Sequence, residues 1–262
     1  MHLKQRIDAG HCLIGAGLYT NCPEVIEYCA KGMDWIWWET QHTHVDWQGT
    51  IQGVRAAYGA GIPLLIRSWT HDGATLERML DTGAEGIIVP MVNTKEEAES
   101  IVSRCFYPPL GNRSFGATRP EIIEADLDEW NKRIVTIMQS ETPQAVENAE
   151  AIAAVPGVTG LLLGARDLAL RLGKSTTQYN AEEQVASAVS HLLEACKRTG
   201  KVAAAVSLTP TALCARIAEG YRLICAGMDL DHLQESYSRM TKAAQEMLTE
   251  MSANDAEGPN PV

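Results

Sequence analysis

Glu141 and Asp167 stand in similar surroundings. Glu141 ends the apolar run Val135-Thr136-Ile137-Met138-Gln139-Ser140, and a helical pattern follows at once. Asp167 lies 26 residues on, after Gly160-Leu161-Leu162-Leu163-Gly164-Ala165-Arg166, and a second helical pattern follows it. Carboxylates at the ends of two consecutive buried strands could hold one divalent cation between them. Waters and substrate oxygens would complete an all-oxygen shell, which suits Mg²⁺, Mn²⁺ or Co²⁺. The competing reading is that each carboxylate caps its helix.

Other polar residues end apolar runs in the same way, where a charge is costly unless it is paired or used. They are Glu39, with Gln41, His42 and His44 after it; Arg67, after Pro63-Leu64-Leu65-Ile66; Gln139; and Ser207 and Thr209. Arg67 could grip a carboxylate or an enolate oxygen with its planar fork, or could make a structural ion pair with Glu39 or Glu141. His42 could act as a general base near neutral pH, oriented by Glu39, or could be a surface histidine. His44 and His71 read as surface residues, and Trp35, Trp37, Trp38 and Trp69 as packing or pocket wall. No lysine falls inside a predicted strand or at its C-terminal end, where a Schiff base in a barrel would need one. Metal-assisted carbonyl chemistry is therefore favoured over imine chemistry. No P-loop and no nicotinamide or flavin fingerprint is present.

These groups need a scaffold that brings strand ends together. Apolar runs predict strands at residues 13–18, 35–39, 62–67, 86–90, 134–139, 160–163, 202–206 and 223–226. Helical patterns follow them at about 23–31, 46–60, 72–81, 94–104, 181–199 and 210–219, with a last helix over 229–251. Asp46 is placed as an N-cap, and Thr94 with Glu97 as a capping box. Residues 105–132 interrupt the rhythm with a long connection, expected to be functional or interfacial and to hold a short helix near 120–130. Eight strands, each followed by a helix, predict a (β/α)₈ TIM barrel of the α/β class. A doubly wound sheet would put a Gly-rich phosphate loop after the first strand, but Gly15 and Gly17 lie within that strand. One barrel domain with its C-terminal helix is expected over 1–251, and a disordered polar tail over 252–262.

The bulk properties fit. The chain has 262 residues, 45% apolar and 21% charged, enough for one α/β barrel. A net charge of −11 argues against nucleic-acid or anionic-membrane partners. Seven scattered cysteines without a C-x-x-C pair read as reduced thiols, and Met1 to Arg6 carries no signal-peptide core, so the expected location is the cytoplasm.

Several motifs in order make the chain resemble the HpcH/HpaI family of class II, metal-dependent pyruvate aldolases, in the phosphoenolpyruvate/pyruvate barrel superfamily. They are Glu39-Thr40-Gln41-His42, Ile66-Arg67, Val89-Pro90-Met91-Val92, Tyr107-Pro108-Pro109 with Gly111-Asn112-Arg113 and Gly116, Gln139-Ser140-Glu141-Thr142, and Gly164-Ala165-Arg166-Asp167-Leu168. The resemblance covers about Gly15 to the helix after Gly227. It implies that Glu141 and Asp167 bind the metal, Arg67 stabilises a pyruvate enolate, and His42 with Glu39 moves the aldol proton. It also implies that Gln139 supports the site and that amides of Gly164, Ala165 and Arg166 hold the pyruvate carboxylate. The reaction implied is cleavage or formation of 4-hydroxy-2-oxo acids such as 4-hydroxy-2-oxoheptanedioate or 2-dehydro-3-deoxyglucarate, in a homo-hexamer built as a dimer of trimers with the last helix on a neighbour. Glu39 stands where the family usually has aspartate, Gln41 where it has glutamate, and Ala165 where it has proline, which bears on substrate choice. The rival functions are another carbon–carbon lyase of the superfamily, a decarboxylase or acyl-CoA lyase, and a non-catalytic barrel.

Overall fold

The structure is a computed structural model that describes residues 1–116, 119–178 and 182–256. Eight parallel strands close in chain order: β1 Leu13–Leu18, β2 Trp35–Glu39, β3 Leu64–Arg67, β4 Gly86–Val89, β5 Val135–Ser140, β6 Gly160–Leu163, β7 Val202–Val206 and β8 Leu223–Met228. The (β/α)₈ barrel expected from the strand–helix rhythm is therefore present.

The helices are α1 Leu3–Asp8, α2 Pro23–Cys29, α3 Trp47–Ala60, α4 Gly73–Asp81, α5 Lys95–Cys105, α6 Arg119–Ile123, α7 Leu127–Asn131, α8 Pro143–Glu147, α9 Ala149–Ala153, α10 Ala165–Arg171, α11 Glu183–Thr199, α12 Pro210–Glu219 and α13 Asp229–Ala256. Asp46 caps α3 through the Gly49 N–H, and Thr94 with Glu97 forms the full capping box of α5. The single helix expected near 120–130 is two short ones, α6 and α7, because Asp126 starts a fresh N-cap. Sequence patterning missed α1, whose six residues are too few for a helical period. The last helix continues to Ala256, five residues past its expected end; the rest of the tail and the expected helix start at Ala181 lie outside the described residues.

Side-chain alternation sorts the core into two layers. Leu13, Trp35, Trp37, Leu65, Ile88, Val135, Ile137 and Leu162 fill the barrel, and Leu3 and Ile7 of α1 close its N-terminal end. Ile36, Trp38, Leu64, Ile66, Ile87 and Val89 face the helices. A Cβ on Gly15 would lie 2.4 Å from the Trp35 ring, so this strand glycine makes room for the interior tryptophan. No helix among the described residues is long and apolar enough to cross a membrane.

Candidate active site

The inward parity of each strand continues past its last apolar residue. On β2 it runs Trp35, Trp37, Glu39; on β3, Leu65, Arg67; on β5, Val135, Ile137, Gln139 and then Glu141. Four polar side chains thus enter the top of the barrel, and Glu39, Arg67, Gln139 and Glu141 are all buried.

Arg67 ties them together. Its Nη1 donates to Glu39 Oε2 and its Nη2 to Glu141 Oε1, both at 3.2 Å. The ion pairs considered from sequence are therefore both present, and one guanidinium bridges two carboxylates. Gln139 Nε2 donates to Glu141 Oε1 at 2.6 Å, and the Met91 N–H donates to Glu141 Oε2 at 2.9 Å. Burial still pushes the Glu141 carboxyl up to about 6; Arg67 pulls against this and the neighbouring Asp167 charge adds to it.

Asp167 is half-buried in the first turn of α10, whose N-cap is Gly164, so the capping role considered for it is not the one it plays. Glu141 is not a cap either: Thr142 caps α8. A Cβ on Gly164 would lie 2.4 Å from Glu141 Cγ and 2.6 Å from Glu141 Oε1, so only glycine lets α10 approach this carboxylate.

Two carboxylates in one site, one of them raised by burial, are the donor chemistry of a hard divalent cation. The buried Gln139 Oε1 has no partner among the described residues and adds a free oxygen. The described residues hold no cluster of three or more His, Cys, Asp or Glu able to bind a metal, so a cation here would rest on two carboxylates and on oxygens from water and substrate.

Glu39 does not orient the His42 ring as expected. Its Oε1 accepts the backbone N–H groups of Gln41 (2.7 Å) and His42 (3.3 Å), and its Oε2 accepts the Trp37 indole N–H (3.1 Å) beside Arg67. The longer glutamate reaches back under its own loop and occupies both oxygens there. His42 is exposed, and its imidazole makes no hydrogen bond to Glu39 among the described residues. The carboxylate shapes the loop that carries the ring.

A cavity of about 940 Å³ opens over these groups. Glu39, His42, Arg67, Gln139, Gly164, Ala165, Arg166 and Asp167 line it, together with Tyr19 and Asp231, which sequence reasoning missed. The Tyr19 amide is held by Asp229 at the start of α13, a contact across 210 residues that no local pattern reveals. No lysine lines the cavity among the described residues.

Of the other expected candidates, Ser207, Thr209 and Trp37 line the same cavity. Ser207 is buried in the cavity wall, and Thr209 caps α12. His44 is exposed, and His71 hydrogen-bonds the Pro90 carbonyl. Trp35 and Trp38 are core, Trp37 lines the cavity, and Trp69 is exposed rather than packed. Arg113 of the long connection turns into its own subunit, pairing with Asp81 at 2.6 Å over the Tyr107 ring.

The chain is similar to known proteins over most of its length. A profile of the HpcH/HpaI aldolase/citrate lyase family matches residues 18–236. A hydroxypyruvate/pyruvate aldolase of Rhizorhabdus wittichii is 30% identical over 85% of this chain and 87% of its own. A 4-hydroxy-2-oxovalerate aldolase of Novosphingobium aromaticivorans is 36% identical over 65% of this chain and 67% of its own. The crystal structure of an HpcH/HpaI aldolase from Desulfitobacterium hafniense DCB-2 superposes with a TM-score of 0.87 at 27% identity, covering 94% of this chain and 97% of that one.

Proposed function

The chain belongs to the HpcH/HpaI aldolase/citrate lyase family, and from that premise we propose that it is a divalent-metal-dependent aldolase joining pyruvate to an aldehyde and cleaving 4-hydroxy-2-oxo acids. It is a carbon–carbon lyase. The observation that carries the site assignment is the bridging of Glu39 and Glu141 by Arg67, beside the cavity that Glu39, Arg67, Gln139, His42 and Asp167 line.

In the cleavage direction the C4 hydroxyl loses its proton, the C3–C4 bond breaks, and an aldehyde leaves. The bond's electron pair becomes the enolate of pyruvate, which is then protonated at C3. His42, exposed on the cavity wall, moves the hydroxyl proton, and Glu39 holds the loop that places it. Arg67 brings a fixed positive charge to the developing enolate oxygen; its two carboxylate partners hold the guanidinium in place beforehand, so little reorganisation accompanies bond breaking. Gln139 steadies Glu141. The amides of Ala165 and Arg166, in the first turn of α10, receive the substrate carboxylate, whereas the Gly164 N–H expected beside them is taken by the Ser140 carbonyl at 2.8 Å and leaves Gly164 only the close approach to Glu141. Glu141 and Asp167 would hold a divalent cation such as Mg²⁺, Mn²⁺ or Co²⁺, which when bound would supply Lewis-acid polarisation of the 2-oxo group.

Assembly belongs to the same proposal. Leu230, Leu233, Tyr237, Met240, Met247 and Met251 are exposed along α13, and with Ala244 they keep an alternating three- and four-residue spacing. Such a stripe is the seam by which a helix packs on another helix. It supports a homo-oligomer, proposed as the hexamer of the family, in which α13 lies on a neighbouring copy. The seven unpaired cysteines fit a reducing compartment, and the cytoplasm is the proposed location.

The test is proton exchange at C3 of pyruvate in D₂O, followed by NMR of the methyl signal. Loss of the signal with Mg²⁺ or Mn²⁺, stopped by chelator, is the expected result. Folded protein that shows no exchange with any of the three metals overturns the proposal.

A further inference from the structure

Met91 is the one non-glycine residue with positive φ among the described residues, at 57°. The left-handed region is unfavourable for any residue with a Cβ, so surrounding contacts must impose it. Those contacts are present. His71 holds the carbonyl of Pro90, and Asn93 Nδ2 donates to the Met91 carbonyl at 2.7 Å. The Val92 N–H donates to the Gln139 carbonyl at 3.2 Å, and Asn148 Nδ2 donates to the Asn93 carbonyl at 2.8 Å. The exit of β4 is thereby tied to the end of β5 and to the junction of α8 and α9.

The strained residue spends its N–H on Glu141 Oε2. The other oxygen, Oε1, already accepts from Arg67 and Gln139. A carboxylate oxygen has about two lone-pair sites. Oε1 is therefore filled, and Oε2, with one donor, is the oxygen left with capacity for a cation. The Met91 side chain also touches α10, its Sδ 3.6 Å from Arg171 Nη2, on the helix whose first turn carries Asp167.

We propose that Met91 is a positioning residue, whose left-handed turn aims its N–H at Glu141 Oε2 and presents that oxygen to a divalent cation. The proposal rests on the assignment of Glu141 and Asp167 as the metal-binding pair. A β-branched residue resists the left-handed region more than methionine does, whereas glycine enters it freely. Only the conformer with the turn intact presents the oxygen, so apparent affinity falls with the fraction in that conformer.

The test is titration of the full-length protein with Mn²⁺ alone, read by electron paramagnetic resonance of the free ion, for wild type, Met91→Val, Met91→Gly and Glu141→Gln. Circular dichroism and melting in chelator check the fold separately, and a purely structural role would move only the melting temperature. The expected result is an affinity about tenfold weaker in Met91→Val and within about twofold of wild type in Met91→Gly. Unchanged affinity in Met91→Val overturns the proposal. So does an equal loss in Met91→Gly, which would assign the effect to the methionine side chain. A folded wild type that binds Mn²⁺ no better than Glu141→Gln overturns the metal assignment itself, and is recognised by that equality.

Discussion

At the scale of single residues, the site depends on groups that cannot be exchanged for their chemical cousins. Lysine at position 67 would keep the charge but lose the fork that reaches Glu39 and Glu141 together. Arg67→Lys is expected to lower kcat/KM for retro-aldol cleavage by about 10²-fold or more, the scale of removing one preorganised donor at a developing oxyanion. A coupled lactate dehydrogenase assay for pyruvate measures it. Gly164→Ala places a carbon 2.4 Å from Glu141 Cγ. Overpacking of this kind costs about 1–3 kcal/mol, and here the displaced group is the carboxylate proposed to bind the metal. The variant is expected to stay folded while its Mn²⁺ requirement rises at least tenfold, measured as the metal concentration giving half-maximal activity.

At the scale of elements, the strands place the chemistry and the caps keep the helices registered to them. The sequence put Glu39, Arg67, Gln139 and Glu141 at strand ends, and alternation along β2, β3 and β5 turns them inward. Helix α5 begins with a complete capping box, whose N-cap Thr94 lies five residues after Val89 at the end of β4. Thr94→Ala leaves the Glu97 N–H without its side-chain acceptor and is expected to cost about 1 kcal/mol, or about 2–4 °C in melting temperature for a chain of this size. Calorimetry measures it, and an unchanged melting temperature would show that the box contributes nothing. The long connection shows the other face of element-scale logic. Arg113 of this connection is buried and pairs with the partly exposed Asp81 at the end of α4, which anchors the connection to the barrel's own helices.

At the scale of the whole molecule, α13 is the element the barrel leaves uncovered. Replacing Leu233 and Met240 with glutamate puts charge on the seam and is expected to shift the protein to smaller species in light scattering after size-exclusion chromatography. The cysteines report on the global fold. Burial pushes Cys105, Cys196 and Cys225 up to about 12, whereas Cys214 is exposed on α12. A disulfide reagent at pH 8 is expected to label Cys214 in the native protein and to reach the buried three only on unfolding, as mass spectrometry would show. The same burial has a pH consequence. The unfolded thiols ionise near 9 and the folded ones only near 12, so stability is full below pH 9 and falls as pH rises through that interval.

The sequence by itself determined the strand–helix rhythm, the barrel, the caps and the identity of the strand-end residues. All of these follow from local periodicity and from the cost of burying an unpaired charge. Only the tertiary structure decided which partners those residues take. That Arg67 bridges two carboxylates, that Glu39 grips its own loop rather than the His42 ring, and that Gly164 makes room for Glu141 are contacts between separate strands or fine details of side-chain reach. The role proposed for Met91, and the place of Tyr19 and Asp231 in the cavity wall, lay beyond the sequence for the same reason. A backbone angle, and an approach between residues some 50 or 210 positions apart, leave no mark on the pattern of neighbouring side chains.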